Sequence, residues 1–302
     1  MKQQSTIPIK TRESPGQKKM LVPLCRLFFS SAFALLLVSC AAYGPYHANT
    51  SADPFNSVRG PKDGRYKLAF VEFGDQGSEL DTSQRSAALD VIRQADSPLL
   101  FVYIHGWQNN ATSGDVCRFE HFIDTISRYP EVTKRKITVI GVYVAWRGKD
   151  ITLPVAKFLT FWSRKSAGEQ IAAQNSILAT VSELALAARA PSKKLHRCVL
   201  LGHSFGGLVL ENTISHSILD ASSTGSRNTS PWDMAVAFNP ADSSIGSRQL
   251  MSELDYLYKY DYERTPCVHT SLNIPKQLLH RSTFPTLLPQ QVRCWCVYTQ
   301  VA

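Results

Sequence analysis

Cys198-Val199-Leu200-Leu201-Gly202-His203-Ser204-Phe205-Gly206-Gly207-Leu208-Val209-Leu210-Glu211-Asn212-Thr213-Ile214 is the stretch on which the reading of this 302-residue chain turns. Cys198 to Leu201 is an uninterrupted apolar run, the kind that fills a strand covered on both faces. Gly207 to Ile214 can form a helix. Between them lies G-x-S-x-G, a spacing that suits a sharp strand-to-helix turn. Glycines two residues either side of the serine remove side chains that would otherwise strike the adjoining strand and helix.

Working outward, apolar runs recur with helical segments between them. Tyr66 to Phe73 alternates as a strand, and Ser83 to Gln94 carries apolar residues at helical spacing through Ala87, Ala88, Val91 and Ile92. Leu99 to Ile104 and Ile137 to Trp146 are continuous apolar runs, separated by a helical segment around Val116 to Tyr129. A long stretch from Ala167 to Ala190 keeps near-helical period, and Met234 to Phe238 supplies a further strand. Strands alternating with helices predict an α/β fold with a mostly parallel, doubly wound sheet.

A second signal sits about a hundred residues before the serine. Ile104-His105-Gly106-Trp107 ends an apolar strand, as Leu201-Gly202-His203-Ser204 does. With both turns in hand, residues 66–242 resemble the α/β-hydrolase superfamily of serine esterases, lipases and amidases. The resemblance implies that Ser204 is a nucleophile and that the backbone N–H groups of Trp107 and Phe205 hold the oxyanion of an acyl transfer. Each such donor contributes ~3 kcal/mol to lowering the barrier. His105 is read as orienting its loop through its ring rather than as transferring protons.

The superfamily order of serine, later acid and final histidine does not run through cleanly. Beyond Glu263 the sequence has neither aspartate nor glutamate. Asp242, just past the strand ending at Phe238, is the best-placed acid, with Asp255 and Asp261 behind it. His269 and His280 stand as alternative bases, and His216, on the helix after the turn, ranks below them. The domain is expected over 66–275, followed by an irregular or divergent tail over 276–302 that leaves the hydrolase-type sheet incomplete.

At the other end, a basic stretch, the apolar run Leu27 to Val38 and Ser39-Cys40 have the layout of an export signal over 1–39. The run is shorter than the ~20 residues a membrane-spanning helix needs. Leu37-Val38-Ser39-Cys40 resembles the bacterial lipobox, which implies lipid attachment at Cys40, and Ala41 after it implies the outer membrane. Residues 40–65, rich in Pro, Gly, Asn and Ser, read as a lipidated tether.

The formal charge is +9, and residues 1–39 carry six of the basic residues against Glu13, a net +5. Removing that leader leaves 9 − 5 = +4, so nucleic acid is not an expected partner. Five cysteines follow Cys40, an odd number, so at least one stays unpaired. Cys294-Trp295-Cys296 is too close for a zinc-type pair, and no metal or cofactor is expected. The expected activity is hydrolysis of a small-molecule or lipid carboxylic ester at the cell envelope. The alternative is a non-catalytic envelope lipoprotein on a degenerate or truncated hydrolase scaffold.

Overall fold

Residues 44–148, 161–190, 192–194, 196–223, 231–241, 252, 267–272 and 294–299 are described by the computed structural model. In chain order the elements are β1 (Val58–Arg59), β2 (Tyr66–Glu72), α1 (Thr82–Gln94), β3 (Pro98–Ile104), α2 (Gly114–Ser127) and α3 (Pro130–Lys134). Then come β4 (Thr138–Ala145), α4 (Phe161–Ala173), α5 (Asn175–Ala188), β5 (Arg197–His203), α6 (Phe205–Ser223), β6 (Met234–Phe238), β7 (Cys267–Leu272) and β8 (Cys294–Thr299). One sheet runs in the order β1-β2-β4-β3-β5-β6-β8-β7. Only the short β1 is antiparallel to its neighbour; every other pair is parallel.

The continuous apolar strands are explained by burial on both faces. On one face Ala69, Val71, Leu100 and Val102 pack with Ala88 and Ile92 of α1, Ile171 of α4, Val181 of α5 and Val209 of α6. On the other, Leu68, Phe70, Phe101 and Tyr143 pack with Val116, Phe119 and Ile123 of α2. A residue and its successor therefore serve opposite layers, as the two-residue period of a strand requires.

Three features differ from the sequence expectation. The helical stretch 167–190 is two helices that begin at Phe161 and bend by 57° at Gln174, which has an extended backbone. The Gln174 side chain packs against the Gly77 turn after β2, and Ser176 donates to the Gly77 carbonyl, so a tertiary contact breaks a helix that local propensity would continue. The tail is not wholly irregular. Cys294-Trp295-Cys296-Val297-Tyr298-Thr299, rich in aromatic and β-branched residues that suit a pleated strand, forms β8 between β6 and β7.

Thirdly, residues 44–65 are bound to the domain rather than loose. Glu72, at the end of β2 and buried, accepts from the backbone N–H groups of Tyr46 (2.9 Å) and His47 (2.8 Å) and from Gln84 Nε2 (3.0 Å). The His47 ring stacks on Phe70 with centroids 3.9 Å apart, and its Nε2 bonds the Ala111 carbonyl at 3.0 Å. Asn49 N–H donates to Asp81, and β1 pairs with β2. Polar side chains capturing backbone leave no apolar periodicity, which is why composition alone reads this segment as a tether. Among the described residues no single helix is long and apolar enough to cross a membrane.

Candidate active site

Parallel strands bring their C-terminal ends to one edge of the sheet, and the two turns singled out by sequence emerge there side by side. β3 pairs with β5 through Ile104 opposite Gly202, so the turn after Ile104 adjoins the turn after His203. Ser204 stands at the apex between β5 and α6 with φ +54°, a left-handed conformation that costs a non-glycine residue on the order of 1–2 kcal/mol. It is partly exposed. Its N–H donates to the Phe238 carbonyl (3.0 Å), and its own carbonyl accepts from Leu208 (3.1 Å) and Ala241 (3.0 Å). Three backbone bonds thus hold the strained turn in place.

Space, rather than conformation, dictates the flanking glycines. A Cβ on Gly202 would lie 2.5 Å from the Gly206 carbonyl oxygen. One on Gly206 would overlap the Ile104 carbonyl and stand 2.6 Å from that of His105. A Cβ on Gly106 would be 2.7 Å from the His203 carbonyl and 2.9 Å from Ser204 Cβ. The Gly106 backbone therefore abuts the serine directly.

His105 is fully buried, and both its ring nitrogens are engaged. Trp146 N–H donates to Nε2 at 3.0 Å, so Nε2 is unprotonated and the proton resides on Nδ1, which donates to the Gly106 carbonyl at 2.9 Å. Desolvation pushes its pKa down to about 4, so the ring is neutral near pH 7. Trp146 Nε1 returns a bond to the His105 carbonyl at 2.8 Å, and the two rings stack with centroids 5.7 Å apart. This is a strut that fixes the Gly106 turn. The ring has no free nitrogen to serve as a base.

An aromatic wall adjoins the serine. Phe205, first residue of α6 and buried, has its ring 5.7 Å from Phe161, which in turn meets Trp107 edge-to-face at 5.0 Å. Trp146 lies behind at 6.4 Å from Phe205. Beneath α4, Arg164 Nη1 bridges Asp75 (2.8 Å) and the Arg147 carbonyl (3.0 Å), tying α4 to the ends of β2 and β4. The first N–H groups of α6 have no carbonyl one turn back within the helix, and the helix N-terminus favours negative charge.

Of the remaining sequence candidates, His216 and His269 lie among the described residues. His216 lies on α6, partly buried. His269 lies on β7, and register passes from it to Cys296, Val236 and Leu201, level with a residue three positions before Ser204. Three strand spacings, ~14 Å, separate β7 from β5, so the backbone at His269 is too far for direct proton transfer. Asp242, Asp255, Asp261, His280 and Cys40 fall outside the described residues. Asn239, in the Asn-Pro that ends the strand after the serine turn, has φ +45° beside Ser204, whereas sequence reading missed the Arg164–Asp75 pair. No local signal in the sequence announces that pair. Among the described residues no group of three or more His, Cys, Asp or Glu could hold a metal ion. Comparison with protein-family models, with curated proteins and with solved structures finds no match.

Proposed function

We propose that the protein is a serine hydrolase of the α/β-hydrolase type that cleaves a carboxylic ester through an acyl-enzyme on Ser204. The observation that carries this reading is the strained Ser204 turn pressed against the Gly106 turn at the C-terminal edge of a parallel sheet. Strand order β4-β3-β5-β6, with the HG turn after β3 and the serine turn after β5, supports the fold assignment.

In this reading Ser204 Oγ attacks the ester carbonyl and yields its proton to a base. The carbonyl oxygen becomes an oxyanion against the N–H groups of Trp107 and Phe205, and collapse expels the alcohol, which takes the proton from the base. Water then attacks the acyl-enzyme as the same base accepts its proton, and collapse expels Ser204 Oγ, which takes that proton back from the base as the acid is released. Of the two bases that sequence favours, His269 is displaced along and across the sheet, and His280 lies outside the described residues, so the reading leaves the base unassigned. Trp107 and Phe161, both partly exposed beside Phe205, would receive an apolar acyl or alcohol group.

Hydrolysis of p-nitrophenyl butyrate by the full chain tests the proposal. Ser204→Ala is expected to lower the rate about a thousandfold or more. A variant that keeps the parent rate would remove Ser204 as the nucleophile, and a parent chain that does not hydrolyse the ester would leave the scaffold as a non-catalytic envelope protein.

A further inference from the structure

The edge that carries Ser204 is also the edge to which the N-terminal segment is fastened. Arg147 Nη2, at the end of β4, donates to the Gly44 carbonyl at 3.2 Å. Two residues on, Tyr46 and His47 are clamped by Glu72 at the end of β2, and Asn110 in the loop after β3 donates to the Tyr46 hydroxyl at 3.3 Å. From Cys40 to Gly44 the chain has four steps, a reach of ~14 Å at full extension. From β2 to β5 across the sheet is three spacings, again ~14 Å.

A long flexible tether would leave a lipid-anchored domain free to tumble. Four residues do not. We infer that the Ser204 edge faces the lipid bilayer and that the substrate is an ester carried in that bilayer, an acyl lipid, rather than an ester dissolved in water. The inference rests on the serine-hydrolase reading and on acylation of Cys40.

The rim of the site fits such a surface. Trp162 follows Phe161 at the start of α4 and is 73% exposed, the largest exposure of any big hydrophobic side chain among the described residues. Its ring lies 5.3 Å from that of Phe161 and 5.8 Å from Lys165 Nζ. Tyr46, on the fastened segment, is 46% exposed. An exposed tryptophan paired with a lysine suits the headgroup level, where the amphipathic ring favours the interface and the ammonium group meets phosphates.

The test uses the mature lipidated chain in vesicles of phosphatidylethanolamine and phosphatidylglycerol with brominated acyl chains. Tryptophan emission should be quenched, and Trp162→Phe should remove about half or more of that quenching, whereas Leu186→Ala, on an exposed face of α5, leaves it intact. A flexible Gly/Ser insert of about twelve residues between Cys40 and Gly44 should lower hydrolysis of the vesicle phospholipid by about threefold or more while p-nitrophenyl butyrate hydrolysis is unchanged. Quenching that is absent, or equal in Trp162→Phe, overturns the inference, as does a mature N-terminus without acyl groups on Cys40. If neither ester is hydrolysed, the Ser204 reading fails by itself, since quenching reports orientation without catalysis.

Discussion

Gly206→Ala adds one methyl group to the helix that follows the serine, and its effect can be worked out from the backbone. Gly206 has no positive φ, so alanine meets no conformational penalty, and a helical alanine is favoured over glycine by ~0.5–1 kcal/mol. Against that stands the collision with the Ile104 and His105 carbonyls. Ile104 is held by register to Val144 on one side and Gly202 on the other, so β3 cannot retreat without disturbing the centre of the sheet. Overpacking of this kind costs ~1–3 kcal/mol, and backbone rather than a flexible side chain puts it at about 3. Gly168→Ala in the middle of α4 is the control, because its Cβ would come no closer than 3.8 Å to Trp146, and it should stabilise by ~0.5–1 kcal/mol. Urea unfolding followed by the emission of buried Trp146 and Trp232 reads both. The same substitution is expected to have opposite signs at the two sites, and Gly206→Ala within about 0.5 kcal/mol of the parent would refute the packing described for the turn.

The buried His105 predicts a pH dependence. Its folded pKa is depressed from 6.5 to about 4, so above 6.5 neither state binds a proton. Between 6.5 and 4 the unfolded chain takes one up while the folded chain does not, so stability is lost as pH falls, about 3 kcal/mol in all, with no further loss below 4. The stability gap between the parent and His105→Asn should therefore shrink across that window, and parallel pH profiles would contradict the neutral strut. Glu72→Gln leaves one oxygen where the clamp uses two to accept the Tyr46 and His47 N–H groups, and should cost about 1–2 kcal/mol. Limited proteolysis should then cut within residues 44–57 faster than in the parent; an unchanged cleavage rate would rule out the clamp. Burial pushes the Cys198 thiol well above its ordinary pKa, whereas Cys117 is exposed. Iodoacetamide under native conditions should therefore alkylate Cys117 and spare Cys198 on peptide mapping, and equal labelling would contradict the packing of β5.

Which parts of this architecture could be read in advance depends on what holds them. Strands β2 to β6 rest on apolar burial, so Leu99 to Ile104 and Met234 to Phe238 announce themselves in any short window. The two turns were legible because close backbone approach demands glycine, and Gly106, Gly202 and Gly206 all sit where a Cβ meets a carbonyl. Residues 44–57 were illegible because their anchors are single polar contacts from distant positions, Glu72 and Asp81 among them. The break at Gln174 depends on a turn about a hundred residues earlier, and nothing near Gln174 encodes it. His105 shows an intermediate case. Its proximity to the site follows from sequence, but its role as a strut follows only from the Trp146 N–H that occupies Nε2.

The central claim is that the Ser204 hydroxyl is an activated nucleophile. Treating the full chain with a fluorophosphonate and mapping the adduct by peptide mass spectrometry tests it most directly. Phosphonylation is expected on Ser204 alone, and it should disappear in Ser204→Ala. A parent protein that acquires no adduct, or one that acquires it on another residue, would contradict the account.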